Sequence, residues 1–151
     1  DAYCLFATGI FSQYNKVLPQ TVFGFIYYRL MGHTWYIQFV LNQLFSMSKS
    51  DYSEADVNDV ISEILLEENA TYKTYCEIIS KGQLRLPRAI AKENRVSEPY
   101  EANFMRRYNL TAPSSVKTAL SALIDKTLIL KTEDNSYHVY DRFFSIWLAQ
   151  S

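Results

Sequence analysis

Histidine and cysteine, the side chains most often used as bases, nucleophiles or metal ligands, are scarce in this chain of 151 residues. The histidines are His33 and His138, and the cysteines are Cys4 and Cys76. The cysteines are far apart and have no His or acidic residue at metal-ligand spacing, so we expect reduced thiols in a cytoplasmic protein and no metal site. No Ser or Cys shows a base-and-orienter arrangement, and no carboxylate pair lies in an apolar setting. The sequence therefore predicts no catalytic residue and argues against a stand-alone enzyme.

Nucleotide binding by a P-loop requires G-x-x-x-x-G-K-[ST], and none of the four glycines is followed by that lysine and hydroxyl residue. The turn Gly32-His33-Thr34 is the stretch best suited to meet a phosphate. Gly32 permits close backbone approach, His33 can donate or accept a hydrogen bond, and amides at a helix start favour anions. A simple corner between two helices, with Thr34 capping the second, explains the same residues. Both interpretations stay open.

The stretch from Thr111 to Asp141 has the pattern of a helix followed by a β-hairpin. Apolar residues at i, i+4, i+7 and i+8 predict one buried helical stripe. They are Val116, Leu120, Leu123 and Ile124. Two β segments, 128–131 and 137–140, are separated by the polar turn 132–136, and His138 alternates with its neighbours as a structural side chain would.

Two further amphipathic segments, near 84–94 and 99–108, precede this unit. Three helices followed by a hairpin indicate a winged helix-turn-helix. Asp141 is placed to start a last helix that buries a strongly aromatic face. Its members are Phe143, Phe144, Trp147 and Leu148. The fold class predicted is therefore mainly α, with a helical bundle followed by a winged helix, a small hairpin and a closing helix.

Residues 1–81 carry apolar residues at helical spacing, with a break predicted at 69–71. The first helix has a predicted buried stripe of six residues: Tyr3, Phe6, Ala7, Ile10, Phe11 and Tyr14. Ser53 is placed to cap the fourth helix, whose outer face is acidic. That face consists of Glu54, Asp56, Asp59, Glu63, Glu67 and Glu68. It suits a solvated surface or a docking surface for a basic partner.

Charge is distributed unevenly although the net charge is only −1. Residues 1–83 hold five Lys and Arg against nine Asp and Glu, and residues 84–126 hold eight against four. Arg85, Arg88, Arg106 and Arg107 could therefore contact DNA phosphates. Base reading needs long donors on the third helix. Its exposed positions offer one cation: Ser114, Ser115, Lys117, Thr118, Ser121 and Asp125. Because the turn 132–135 is also acidic, a DNA-binding domain is the second hypothesis and is not favoured.

The longest apolar stretch, 22–45, contains Arg29, His33, Gln38 and Asn42, so it would be a poor membrane span. No signal peptide is visible. The sequence opens at Asp1 without a methionine and directly in a helical pattern. We therefore expect a piece of a longer protein that does not enter a membrane.

Four motifs in order resemble the carboxyl half of the archaeal-type P-loop ATPases, a STAND group related to AAA+ proteins. The motifs are Gly32-His33-Thr34-Trp35-Tyr36-Ile37-Gln38, then Ala89-Ile90-Ala91-Lys92-Glu93, then Ser114-Ser115-Val116 with Ala119-Leu120 and Leu123, and finally Val139-Tyr140-Asp141-Arg142-Phe143-Phe144 with Trp147-Leu148. The resemblance runs over nearly the whole chain. It implies a helical lid domain over 1–81 and a winged helix domain over 82–151.

In that family, lid and winged helix close over ATP or ADP bound with Mg²⁺ in a preceding P-loop domain and couple the nucleotide state to a rearrangement. The resemblance implies that the P-loop domain of the same parent protein is the partner of this chain. It also allows a further protein partner or self-association. It implies no cofactor in the fragment itself. Gly32, His33 and Thr34 match the family's Gly-x-Pro turn, with Thr for Pro. Tyr140 and Asp141 match the end of a Met-His-Asp motif, with Tyr for His, and Asp141 could equally cap the last helix.

Overall fold

Four helices build residues 1–67, the first of two compact units in the chain. They are α1 (Ala2–Gln13), α2 (Gln20–Arg29), α3 (Thr34–Ser46) and α4 (Glu54–Glu67). The computed structural model describes residues 1–151. The core of this unit lies between α2, α3 and α4, where several aliphatic side chains are fully buried. They include Ile26, Leu30, Ile37, Leu44 and Ile61. Each removes its apolar surface from water, which contributes about 1.5–3 kcal/mol per side chain.

Helix α1 buries less than its sequence predicts. Ala7 and Phe11 are buried, but Phe6, Ile10 and Tyr14 are 66%, 36% and 63% exposed. The predicted six-residue stripe is therefore wrong at these three positions. The reason is that α1 packs along a narrow face, with Phe11 meeting the ring of Phe45 edge-on at 5.2 Å between ring centroids. The rest of the helix faces solvent.

Ser53 caps α4 as predicted, because its Oγ accepts the Asp56 amide at 3.4 Å and its own amide donates to the Asp56 carboxylate at 2.8 Å. The prediction that Asp56 lies on the solvated acidic face is wrong, since this residue is buried. Its carboxylate binds Lys49 Nζ at 2.7 Å. The hydrogen bonds from Lys49 and Ser53 lower the pKa of Asp56 despite its burial.

Five helices and a hairpin build residues 68–151. They are α5 (Asn69–Glu77), α6 (Arg85–Glu93), α7 (Ala102–Arg107), α8 (Pro113–Asp125), β1 (Ile129–Lys131), β2 (Tyr137–Val139) and α9 (Arg142–Gln150). The strands are antiparallel, with Ile129 opposite Val139. This order confirms the predicted mainly α fold with a trihelical unit, a small hairpin and a closing helix.

A third strand position joins the hairpin and was not expected. Val96, between α6 and α7, pairs antiparallel with Tyr137. The Val96 amide donates to the Tyr137 carbonyl at 2.9 Å, and the Tyr137 amide donates back at 2.8 Å. A single buried valine between Arg95 and Ser97 gives no alternating pattern, so periodicity could not reveal it.

Helix α9 closes this unit by burying Phe144 and Leu148. The ring of Tyr72 in α5 packs on Phe144 at 5.3 Å between centroids, and Trp147 Nε1 donates to Asn69 Oδ1 at 3.0 Å. These contacts place α5 with residues 68–151, whereas the sequence boundary was drawn at 81/82. None of the nine helices has the length and apolar character needed to cross a bilayer.

Candidate functional site

The turn before α3 requires glycine at position 32. Gly32 has φ +72°, and a Cβ there would come within 2.9 Å of the Tyr27 ring. Its amide donates to the Tyr27 carbonyl at 2.9 Å, which ends α2 in a left-handed turn. The space that Gly32 leaves by having no side chain is therefore taken by the ring of Tyr27.

The amino end of α3 carries no side-chain cap. The capping position is His33, and Thr34 is the first helical residue, so the prediction that Thr34 caps this helix is wrong. Both side chains are exposed. The amides of the first turn have no acceptor within the helix, and here Thr34 and Trp35 contribute two such donors. Donors and the positive end of the helix dipole favour an anion at this place.

Trp35, beside this turn, was not singled out from the sequence. Its side chain is 63% exposed and stacks on Phe39, with ring centroids 5.6 Å apart and planes 26° apart. Tyr36 meets its edge at 4.9 Å. The available signal was that Trp35 lies outside the α3 stripe of Ile37, Val40, Leu41 and Leu44. An exposed aromatic ring beside a helix start without a side-chain cap suits binding of a planar or charged group.

The amino end of α9 is organised differently. Asp141 is its capping residue, and its Oδ1 accepts the Phe144 amide at 3.0 Å. Tyr140 is 53% exposed, and its amide donates to the Leu128 carbonyl at 3.0 Å. Of the two roles that the sequence left open for Asp141, helix capping is thus present in the structure. The turn at Gly32 lies in residues 1–67 and this pair lies in residues 68–151, so the two groups belong to different compact units.

Helix α8 occupies the position of a recognition helix, and its solvent side is short and polar. The exposed residues are Ser114, Ser115, Lys117, Thr118, Ser121 and Asp125. The Thr118 hydroxyl donates to the Ser114 carbonyl at 3.0 Å, so it is engaged within the helix. Lys117 is the one cation of this face. The face therefore lacks the Arg, Asn and Gln side chains that read base edges with two hydrogen bonds.

Several arginines near α8 are engaged inside the domain. Arg107 pairs with Glu93 at 2.6 Å, and Arg85 Nη1 donates to the Asn109 carbonyl at 3.2 Å. The hydrogen bond from Tyr108, together with Arg107, lowers the pKa of Glu93. Arg88 is only partly accessible and its Nε is buried, so it is less available to a phosphate than the sequence predicts. Arg106, at the end of α7, is exposed.

The turn of the hairpin, 132–136, is an acidic loop held by its own hydrogen bonds. The Asp134 carboxylate accepts from the Thr132 hydroxyl and from the Ser136 amide and hydroxyl. These hydrogen bonds, with Arg95 nearby, lower the pKa of Asp134 to about 2. Arg95 Nη1 lies 3.1 Å from the carboxylate. Near neutral pH the wing thus presents a carboxylate where a DNA-binding wing would meet phosphate.

Two buried polar residues lie beneath the wing. Arg142 is fully buried and donates to the Val139 carbonyl at 3.2 Å and the Ser145 hydroxyl at 3.5 Å. The sequence did not single out Arg142, because an arginine in a first helical turn is usually exposed. His138 is buried on β2, in keeping with its predicted structural role. Both cysteines are free and half-buried, and burial raises the pKa of Cys76.

Comparison with known proteins agrees with this geometry. The family described as "Probable winged helix domain" matches residues 70–150, which is more than half of the chain and includes α5 except for its first residue. No curated protein and no solved structure matches. Three helices, the hairpin with Val96 at its edge and the closing helix α9 all fall within the matched residues. The chain therefore belongs to the probable winged helix domain family.

Proposed function

We propose that this chain is the regulatory part of a STAND-type P-loop ATPase, in which a helical lid and a winged helix respond to the nucleotide of a P-loop domain in the same parent protein. The observation that carries the proposal is the character of the winged helix. Its α8 face is serine-rich with one cation, Lys117, and its wing holds the charged Asp134. Such a surface fits contact with protein better than readout of DNA. The ATPase part of the proposal rests on the motifs around Gly32 and Asp141, which resemble those of the P-loop ATPases.

The lid would meet the nucleotide at the amino end of α3. ATP or ADP with Mg²⁺ would supply an anionic phosphate group held by the P-loop domain. The Thr34 and Trp35 amides are placed to donate to such an anion, and the exposed His33 side chain can add a further hydrogen bond. Gly32 and Tyr27 fix the direction in which the helix begins. This chain provides no P-loop, so we assign it no catalytic residue.

The winged helix would act as the moving element that passes the nucleotide state to a partner. Asp141 acts as a positioning residue, because it fixes the start of α9 below the exposed Tyr140. Tyr140 is then the side chain of this pair that can contact a neighbouring domain. Coupling by such rigid-body movement needs a domain with a firm core, which α9 provides through Phe144 and Leu148.

The coding sequence upstream of Asp1 tests the proposal. We expect it to encode G-x-x-x-x-G-K-[ST] in a P-loop domain, and we expect the gene product to bind Mg²⁺·ATP. A purified gene product that contains His33→Ala should bind ATP more weakly than one with the control change Asn58→Ala on α4. A coding sequence without a Walker A motif, or equal ATP affinity for both variants, would exclude the proposal.

DNA binding is the second candidate, and the cations beside α8 favour it. Lys81 and Arg85 border a cleft against Ser115. Arg106 on α7 and Lys117 on α8 are exposed. If these cations hold phosphates, retention of duplex DNA should fall steeply with salt, and the double change Arg106→Ala with Lys117→Ala should reduce the slope of log K against log[salt] by about 2. No retention at low salt removes this candidate.

A further inference from the structure

A cleft on the winged helix domain lies between the start of α6, the turn from α7 to α8, and α8 itself. Two adjoining cavities of about 370 and 430 Å³ form it, and they share the lining residues Gly82, Thr111, Ser115 and Ala119. Cavities that bind small ligands are of this size. All of the lining residues lie within residues 68–151, so the cleft is separate from the turn at α3.

The charge of this cleft is positive. Lys81 and Arg85 are the charged residues that line it. No Asp or Glu occurs from Ile78 to Lys92 or from Ala102 to Ile124, the two stretches that build its walls. Because no carboxylate of these stretches neutralises the two cations, the cleft attracts anions.

Contacts within the domain hold Arg85 at the edge of the cleft. Its Nη1 donates to the Asn109 carbonyl at 3.2 Å. Asn109 has φ +53°, a left-handed conformation that asparagine tolerates, and it follows the end of α7. The other N–H groups of the guanidinium can meet two oxygens of one anion. An arginine held in this way loses less side-chain freedom on binding than a mobile one.

Hydroxyl groups supply the neutral donors of the cleft. They belong to Ser80, Thr111, Ser114, Ser115 and Thr118. The three terminal oxygens of a phosphate monoester can accept from several such donors and from both cations at once. A carboxylate has two oxygens and uses fewer of them. Apolar side chains also line the cleft and suit the group that bears the phosphate: Leu86, Leu110, Val116 and Ala119.

We propose that this cleft, with Lys81, Arg85 and Ser115 as its principal contacts, binds a phosphate monoester carried by a phosphorylated side chain or by a mononucleotide. A DNA duplex gains its affinity from several phosphodiesters in a row. The cleft instead gathers two cations at one place, and the wing of the same domain presents the charged Asp134. The site needs no P-loop domain, so it is independent of the function proposed for the lid.

NMR titration of the ¹⁵N-labelled chain tests the site with three probes: inorganic phosphate, AMP and a short phosphoserine peptide. We expect each probe to shift the amide signals of Gly82, Thr111 and Ser115. Sodium chloride at equal ionic strength, adenosine and the unphosphorylated peptide should leave these signals unchanged. The monoester that binds more tightly, AMP or the peptide, identifies the carrier of the phosphate.

Arg85→Gln should weaken binding of the phosphoserine peptide and of AMP on the order of tenfold, because it removes one of the two charges. Lys92→Gln is the matched control, since Lys92 is an exposed cation of the same helix and lies outside the cleft. It should change the affinity by less than about twofold. Gly82→Asp should abolish binding by placing a carboxylate in the cleft. A Cβ at this position meets nothing within 4 Å, and circular dichroism verifies the fold.

Three results would overturn the proposal. The first is that none of the three phosphate probes shifts the Gly82, Thr111 and Ser115 signals. The second is equal affinity of the Arg85→Gln and Lys92→Gln variants, which would mean that the anion binds to the general positive charge of the domain. The third is a DNA duplex that shifts the same amides at a lower phosphate concentration than either monoester, because the cleft would then be a phosphodiester site.

Discussion

The amino ends of α3 and α9 differ in what engages their backbone donors. At α9 the Asp141 carboxylate accepts the Phe144 amide at 3.0 Å. At α3 the equivalent residue, His33, makes no capping hydrogen bond through its side chain. A donor that is bound to the chain's own carboxylate stabilises the fold, whereas an uncapped donor remains available to a ligand. The comparison teaches that two motifs of equal interest in the sequence can differ in structure, since the chain caps the start of α9 with its own side chain and leaves the start of α3 without one.

Changing the glycine of the α3 turn should have the largest effect. Gly32→Ala places a Cβ at φ +72° and within 2.9 Å of the Tyr27 ring. We expect a loss of about 2–3 kcal/mol in the free energy of unfolding, from backbone strain and the contact with Tyr27. Urea denaturation followed by circular dichroism measures it.

Gly24→Ala is the matched control, because a Cβ at this position in α2 meets nothing within 4 Å. It should stabilise the protein by about 0.5–1 kcal/mol, since alanine has the higher helix propensity. If Gly32→Ala were as stable as Gly24→Ala, the turn would not depend on glycine.

Removing the cap of α9 should have the next largest effect. Asp141→Ala leaves the Phe144 amide without its acceptor and should cost about 1 kcal/mol, while Asp141→Asn should retain most of the stability. Asp125→Ala at the exposed end of α8 is the control and should change stability by less than about 0.5 kcal/mol. Equal stability of Asp141→Ala and the parent chain would show that the cap is not needed.

Acid titration extends the comparison to a second capped helix. Glu101 caps α7 by accepting the Phe104 and Asn103 amides, and these hydrogen bonds lower its pKa. A lowered pKa means that the carboxylate stabilises the fold above its unfolded pKa and that this contribution is lost as the pH falls through the folded value. Unfolding of Glu101→Gln should therefore depend less on pH between about 5 and 3 than that of the parent chain. An unchanged pH profile would contradict the capping role.

Changing His33, at the amino end of α3 that has no side-chain cap, should affect stability least. His33→Ala should shift the free energy of unfolding by less than about 0.5 kcal/mol, because His33 is exposed and its side chain caps nothing. Calorimetric unfolding of this variant beside Asp141→Ala gives the contrast directly. A loss as large as that of Asp141→Ala would mean that His33 supports the fold.

The sequence predicted the parts of the fold that depend on the spacing of apolar residues and on the residues that begin or end helices and turns. The α8 stripe, the hairpin and the start of α9 at Asp141 followed from spacing and capping chemistry. Contacts that depend on how segments pack could not be predicted in this way. Val96 pairs with Tyr137, which lies far from it in the chain, and no alternating pattern marks it. Asp56 accepts from Lys49 and Ser53, which lie seven and three residues before it, but the helical spacing of acidic residues alone placed it on the solvated face.

Gly32, His33 and Asp141 remain candidate site residues predicted from the sequence. Of the two roles predicted for Asp141, the helix cap is present in the structure, whereas spacing wrongly predicted Thr34 as the cap of α3. Trp35 lies off the buried α3 stripe, and the spacing alone indicates this. Its exposed fraction and its stacking on Phe39 depend on the packing of the helices, which no local pattern encodes.

Hydrogen–deuterium exchange of the whole gene product, measured with and without Mg²⁺·ATP, tests the central claim most directly. We predict that nucleotide slows exchange in a peptide covering residues 33–37, where α3 begins, and leaves a peptide covering 141–145 unchanged. Identical exchange of residues 33–37 with and without nucleotide would contradict the account.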